Sequence, residues 1–166
     1  MALATSDRAG WPSVRMVLLA TIDRRGPVFY THAESRKGRD LAARPRAAVV
    51  FYWHRTAKQV RIEGRVEAVT RAEADRHWKA YPRDTQLATL ALDTALEATR
   101  RTELLETFTS LRRRWRGKEI PRPARWVGYR ILPEVVSFWE ERAHRLNDRE
   151  VFFRARGGWK RRWMPP

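Results

Sequence analysis

The chain has 166 residues, with 35 Lys plus Arg against 19 Asp plus Glu, a formal charge of +16, 43% hydrophobic residues, eight Trp and no Cys. One ordinary domain of this length buries roughly 68–70% of its unfolded surface, so it needs no covalent staples, and the missing Cys excludes disulfides, thiolate catalysis and cysteine metal sites. The longest apolar run, Ala47 to Trp53, is seven residues, far short of the ~20 of a membrane-spanning helix, and no basic-then-apolar leader opens the chain, so a cytoplasmic protein is expected.

Residues 2–69 read as strands separated by turns. Leu3–Ser6 and Ser13–Thr21 flank the turn Asp7-Arg8-Ala9-Gly10, and Asp23-Arg24-Arg25-Gly26 precedes Val28–His32, which predicts a meander. A short helix follows at Arg36–Ala43, with Ser35 placed as its N-cap and Pro45 as its stop. Ala47–Tyr52 and Gln59–Val69 supply two more strands, the second alternating apolar with charged residues as a sheet with one wet face requires. Thr70 and Glu73 form a capping-box pattern for a helix to about Tyr81. Leu104, Leu105, Phe108, Leu111 and Trp115 make an apolar stripe on a longer helix ending near Gly117. After Pro121-Arg-Pro123, the segments Trp126–Leu132, Val135–Glu140, Val151–Arg154 and Trp159–Trp163 read as strands. The sum is a mainly β chain with helices, a barrel or sandwich interrupted by a helical middle.

The charge points to anionic partners. Of the basic residues 30 are Arg and five are Lys, spread along the chain, and no helix-turn-helix, zinc-finger or ribonucleoprotein pattern accompanies them, so a nucleic-acid-binding module is a minor alternative. Two places are more specific. Arg15 lies in Ser-Val-Arg-Met-Val-Leu-Leu, among residues that look buried, so its guanidinium requires either an internal ion pair or an anion held beside the sheet. Arg36 and Lys37 occupy the first turn of a helix, where the macrodipole disfavours cations by about 0.3–1 kcal/mol. An anion there reverses the sign, because free N–H groups, the Ser35 hydroxyl and both cations can converge on one phosphate.

Other chemistries lack support. His32, His54, His77 and His144 have no metal-ligand spacing, no serine-elbow, Walker or dinucleotide glycine motif occurs, and no acid–base pair stands out. In the tail, Arg145-Leu-Asn-Asp-Arg149 reads either as a surface salt-bridge cluster around Asp148 or, with Trp139 nearby, as the wall of a site for a flat anion.

Arg15-Met-Val-Leu-Leu19, Val28-Phe-Tyr-Thr31, Ser35-Arg-Lys-Gly38, Gln59, Pro82-Arg-Asp84, Ser137-Phe-Trp139 and Arg145-Leu-Asn-Asp-Arg149, in this order and spacing, resemble the pyridoxamine 5'-phosphate oxidase family of FMN-binding split β-barrels. The resemblance spans the chain and implies one Greek-key-like split-barrel domain over residues 1–166, with a C-terminal dimerisation segment at about 121–166. It implies a homodimer with FMN at the interface, bound by Arg15, Met16, Val17, Leu18, Tyr30, Thr31, Arg36, Lys37, Gln59, Trp139 and Arg149. It implies no metal, nucleic-acid or membrane partner.

The departures point to a different substrate. Vitamin-B6 oxidases of the family place Lys where this chain has Ala20, and Tyr, Arg and Ser where it has His77, Tyr81 and Thr85; those residues grip the substrate phosphate. Losing the Lys and Arg removes two charge-assisted contacts, each worth about 1.5–3 kcal/mol. Arg145 is kept, the usual His becomes Asn147, and a Gln-Ser pair that touches FMN becomes Thr94-Ala95. The family's N-terminal extension is not expected, because the chain starts near the first barrel strand. Ala20, Thr31 to Leu41 and Tyr52-Trp53 are more similar to the branch that oxidises reduced phenazine carboxylates with FMN. The expectation is therefore an FMN-dependent oxidase of secondary metabolism using dioxygen, with a flat, reduced, carboxylated heterocycle bound by Arg145 in a pocket shaped by Ala20, His77, Tyr81, Thr85 and Asn147. A vitamin-B6 phosphate oxidase and a non-catalytic flavin carrier are the alternatives.

Overall fold

The structure, a computed structural model, describes residues 1–95 and 98–165. Two compact units divide the chain, one formed by residues 1–68 with 128–166 and the other by residues 69–127. The strands are β1 (Ala2–Ser6), β2 (Pro12–Met16), β3 (Thr21–Asp23), β4 (Gly26–His32), β5 (Arg46–Trp53), β6 (Lys58–Ala68), β7 (Trp126–Glu140), β8 (Asp148–Ala155) and β9 (Gly158–Trp163), with helix α1 (Arg36–Ala43) between β4 and β5. They form one sheet in the order β2-β1-β5-β6-β7-β4-β3, with β8 on β7 and β9 on β8.

The expected meander does not form. The segment expected as one strand from Ser13 to Thr21 is two, β2 and β3, at opposite ends of the strand order. Between them Val17 donates its N–H to the Met1 carbonyl and Ala20 donates to the Val28 carbonyl. The chain thus leaves β1 and joins β4 within four residues, and two separate hairpins replace three consecutive strands. Conversely, Trp126–Leu132 and Val135–Glu140 are one strand, β7. Its register against β6 shifts between Glu63 and Gly64, where a β-carbon on Gly64 would overlap the Leu132 carbonyl oxygen. Glycine admits the bulge that carries the strand past Pro133.

The core of this unit joins Leu3, Phe29, Leu41, Val49, Ile62, Val66 and Ile131, each side chain of this kind contributing about 1.5–3 kcal/mol on burial. Alternation in β6 puts Ile62, Gly64 and Val66 inward, as its period-two pattern predicts. In β2 the expectation inverts. Val14, Met16 and, just past the strand's end, Leu18 are exposed, whereas Arg15 has a side chain only 21% exposed. The strand turns its charge toward β1 and α1 and its apolar residues outward.

The helical unit contains α2 (Arg71–Ala80), α3 (Arg83–Thr94) and α4 (Arg101–Arg114). The Thr70–Glu73 capping box is present in both directions, Glu73 N–H to Thr70 Oγ1 at 3.2 Å and Thr70 N–H to Glu73 Oε2 at 3.0 Å. Helix α3 was not expected as a separate element; Pro82 before it and Asp84 in its first turn were its local signals. Helix α4 stops at Arg114, before Gly117, and of its expected apolar stripe Leu111 is buried while Leu105 is 45% exposed. Among the described residues no helix is long and apolar enough to cross a membrane.

Candidate functional site

The start of α1 is built by its own sequence. Ser35 takes extended backbone angles and its hydroxyl accepts the Gly38 N–H at 3.3 Å. The same oxygen accepts from Lys37 Nζ at 3.3 Å and lies 3.3 Å from the Thr31 hydroxyl at the end of β4. A β-carbon on Gly38 would overlap the Ala33 carbonyl oxygen, so only glycine lets the loop close this tightly under the helix. No acidic residue stands in the first turn.

Arg15 reaches this place from β2. Register pairs Leu3 with Arg15 and Thr5 with Ser13, and the guanidinium donates to Thr5 Oγ1 at 2.7 Å, Ser13 Oγ at 2.7 Å and the Leu3 carbonyl at 3.3 Å. Asp40 of α1, 4% exposed, lies 3.8 Å from it. Burial pushes the Arg15 guanidinium below its ordinary value, Asp40 opposes the shift and Arg36 adds to it. Burial likewise lowers the Lys37 ammonium, and the charge of Arg15 lowers it further. Arg15 is therefore near enough to both Arg36 and Lys37 for like charges to oppose one another, with Asp40 the only carboxylate among the causes of these shifts.

That arrangement fits a phosphate. Three coupled cations at a capped helix start, two of them partly desolvated, gain from a dianion what they lose to each other without one.

A second group lies across four strands, β5 to β8. Register places Tyr52 beside Gln59, Gln59 beside Trp139 and Trp139 beside Arg149. Gln59 and Trp139 border a cavity of about 630 Å³ that is also walled by Trp53, Val60, Phe138 and Trp163 and rimmed by Lys58, Glu140, Arg142, Asp148 and Glu150. Aromatic walls with a charged rim suit a flat ligand. Of the other residues implied by resemblance, Met16 and Leu18 are exposed by 75% and 85%, Val17 is half-buried, and Tyr30 lies half-buried one residue before Thr31.

The substrate-side residues are dispersed. Ala20 and the tail loop are in the strand unit; His77, Tyr81 and Thr85 are in the helical unit. His77 and Tyr81 meet edge to face at 4.9 Å between ring centres, within a cluster that includes Trp78 and Trp126. Burial pushes the His77 imidazole down and the Tyr81 phenol up, favouring the neutral form of each. Thr85 lies in the first turn of α3. The Thr94 hydroxyl donates to the Leu90 carbonyl of its own helix at 2.8 Å, with Ala95 as the C-cap. In the tail, Asp148 pairs with Arg142 at 2.7 Å, so of the two readings of this segment the salt bridge at Asp148 is made by Arg142, outside the Arg145–Arg149 motif. Asn147 accepts the Arg142 N–H at 3.0 Å, and His144 and Arg145 adopt left-handed angles with φ of 59° and 61°.

The residues to which the sequence assigns no site role are Thr5, Ser13 and Asp40 around Arg15, and the cavity walls Trp53, Phe138 and Trp163. Asp40 follows Arg36 by four and reads as half of a surface helix pair, while the fold turns it inward. Among the described residues no group of His, Asp and Glu is arranged to hold a metal ion.

The sequence matches the family described as pyridoxamine 5'-phosphate oxidase over residues 1–116 and the pyridoxine 5'-phosphate oxidase C-terminal dimerisation region over residues 126–166. A pyridoxine/pyridoxamine 5'-phosphate oxidase of Gluconobacter oxydans is 45% identical over 159 residues, 96% of this chain and 80% of that one. One from Myxococcus xanthus is 42% identical over 166 residues, all of this chain and 81% of that one. Among solved structures, PhzG from Burkholderia lata in complex with tetrahydrophenazine-1-carboxylic acid matches with a TM-score of 0.93 at 33% identity, covering 99% of this chain and 81% of that one. A pyridoxamine 5'-phosphate oxidase-related, FMN-binding protein from Nostoc punctiforme shares the fold, with a TM-score of 0.77 at 17% identity over 99% of this chain and 86% of that one.

Proposed function

The chain belongs to the pyridoxamine 5'-phosphate oxidase family, a split-barrel family of FMN-dependent oxidases, and from that premise we propose that it oxidises a flat, reduced, carboxylated heterocycle of the phenazine type. The choice rests on which residues stand at the positions the resemblance assigns to the substrate. Ala20, His77, Tyr81 and Thr85 offer no fixed cation to a substrate phosphate, and burial favours the neutral forms of His77 and Tyr81. The resemblance in fold and sequence to PhzG, solved with a tetrahydrophenazine carboxylic acid, supports the same reading.

FMN, when bound, would supply the redox chemistry as a hydride acceptor, with dioxygen as the reoxidant. Arg15, Arg36 and Lys37 hold its phosphate, with Thr31 and Ser35 beside them. Met16, Val17, Leu18 and Tyr30 line its path, while Gln59, Trp139 and Arg149 orient its ring system. The chain carries the family's C-terminal dimerisation region, and dimerisation is the natural cover for the apolar residues that β2 turns outward; FMN at that interface would draw residues from both subunits. The domain is residues 1–166 taken together, and the protein acts in the cytoplasm. Arg145 receives the substrate carboxylate. No side chain is assigned an acid or base role, because a substrate poised to aromatise needs none.

A second reading, oxidation of pyridoxine or pyridoxamine 5'-phosphate, is favoured by the names of relatives 42–45% identical to this chain. Anaerobic mixing of the FMN-loaded protein with tetrahydrophenazine-1-carboxylate, and separately with pyridoxine 5'-phosphate, distinguishes the two. Rapid loss of visible flavin absorbance with the phenazine alone is expected. Rapid loss with pyridoxine 5'-phosphate, at rates typical of enzymes, ~1–10³ per second, establishes the second reading. Loss with neither leaves a flavin carrier.

A further inference from the structure

We infer that Asp40 and Thr5 are positioning residues for the FMN phosphate: the buried carboxylate and the bridging hydroxyl hold Arg15 in place against the repulsion of Arg36 and Lys37. The inference rests on the phosphate reading of those three cations and adds two residues to it.

The relay has a fixed direction. Asp40 Oδ2 accepts the Thr5 hydroxyl at 2.6 Å; an ionised carboxylate only accepts, so the single hydroxyl proton of Thr5 is committed to it. The Thr5 oxygen is then left to accept from Arg15, as it does at 2.7 Å. Asp40 and Thr5 are both 4% exposed, so water offers neither an easy substitute. Arg15, with a side chain 21% exposed and two like charges near it, would otherwise relax toward solvent.

Coulomb attraction alone predicts the opposite of this inference. A buried anion beside a phosphate site repels the phosphate, so deleting its charge should tighten binding. If Asp40 acts by placing Arg15, deleting it should loosen binding, and the sign separates the two.

The experiment measures dissociation constants of the dimeric protein for FMN and for riboflavin, which lacks the phosphate, by quenching of flavin fluorescence. Thr5→Val keeps the shape and removes the bridge; Asp40→Asn removes the charge; Thr5→Ser restores the bridge. Thr5→Val and Asp40→Asn should each weaken FMN by roughly tenfold and leave riboflavin within about twofold, with Thr5→Ser close to the parent. Equal loss for both flavins assigns Thr5 and Asp40 to general packing and overturns the inference, as does unchanged or tighter FMN. The double variant Arg36→Ala/Lys37→Ala is the control for the underlying reading. If it fails to weaken FMN relative to riboflavin, the phosphate lies elsewhere; if it succeeds while Thr5→Val does nothing, the relay alone is wrong. Should Asp40→Asn fail to fold, Thr5→Val and Thr5→Ser decide the matter.

Discussion

At the residues expected to bind ligands, the strand unit and the helical unit solve opposite electrostatic problems. Around α1, burial presses down the ionisation of both Arg15 and Lys37, with Arg36 adding to the first, against Asp40, and Arg15 adding to the second. In the helical unit Arg122 pairs with Asp75 at 2.6 Å and Arg125 with Asp93 at 3.3 Å, while His77 and Tyr81 sit among Trp rings and tend to neutrality. An excess of charge held at a cost is a sign that an anion completes the structure; matched charge beside a neutral aromatic cluster is not. The contrast fits the proposal that the strand unit holds the cofactor phosphate, while His77 and Tyr81 present neutral rings.

Removing the excess should have the largest effect. The double variant Arg36→Ala/Lys37→Ala deletes two charge-assisted contacts, each worth about 1.5–3 kcal/mol. FMN affinity should fall by roughly 10²–10⁴, while riboflavin affinity changes little. Titration of flavin fluorescence checks this, and a parallel loss for both flavins would show that α1 shapes the ring site and leaves the phosphate to other residues.

The proposed substrate side is broken by adding charge instead. Ala20→Lys with Tyr81→Arg restores the two cations that vitamin-B6 oxidases carry at these places. Because two contacts of about 1.5–3 kcal/mol each seldom add fully, kcat/KM for pyridoxine 5'-phosphate should rise by roughly 10- to 100-fold, with no comparable gain for a phenazine carboxylate. Steady-state assays on both substrates check it. If the parent already turns over pyridoxine 5'-phosphate at a typical rate and the double variant adds nothing, the substrate phosphate has another grip.

These two regions were also unequally legible. Ser35, Arg36 and Lys37 spell out their site locally, because an N-cap and the first helical turn are fixed by neighbours in sequence. The same holds for the Thr70–Glu73 capping box. Arg15 was found for the wrong reason: its neighbours Val14, Met16 and Leu18 looked buried and are exposed. Period-two alternation says which residues share a face but not which face is covered. The break at Val17–Ala20 and the separation of β2 from β3 were illegible because strand order depends on long-range pairing. Thr5 and Asp40 were missed because their meeting joins residues 35 apart, while α3 hid behind a Pro82 that reads as a terminator and here opens a helix.

The smallest expected effect concerns the proton on Lys37. Burial and the charge of Arg15 lower its pKa from an ordinary 10.5, whereas a bound phosphate, dianionic above about pH 6, stabilises the ammonium and pushes it back. In the FMN-free protein, between the lowered value and 10.5, the unfolded chain holds a proton that the folded chain has released. Stability therefore rises with pH in that window. FMN affinity moves the other way, since deprotonation removes one of the cations that grip the phosphate, so it should decline as pH approaches 10.5 from below. The decline should be on the order of a few-fold, because a half-buried ammonium is partly screened. Lys37→Arg keeps its charge throughout and should abolish both trends once riboflavin binding, measured at each pH, has been divided out. Identical pH profiles for Lys37→Arg and the parent would show that Lys37 is paired to Ser35 alone and that Arg15 and Arg36 carry the phosphate without it.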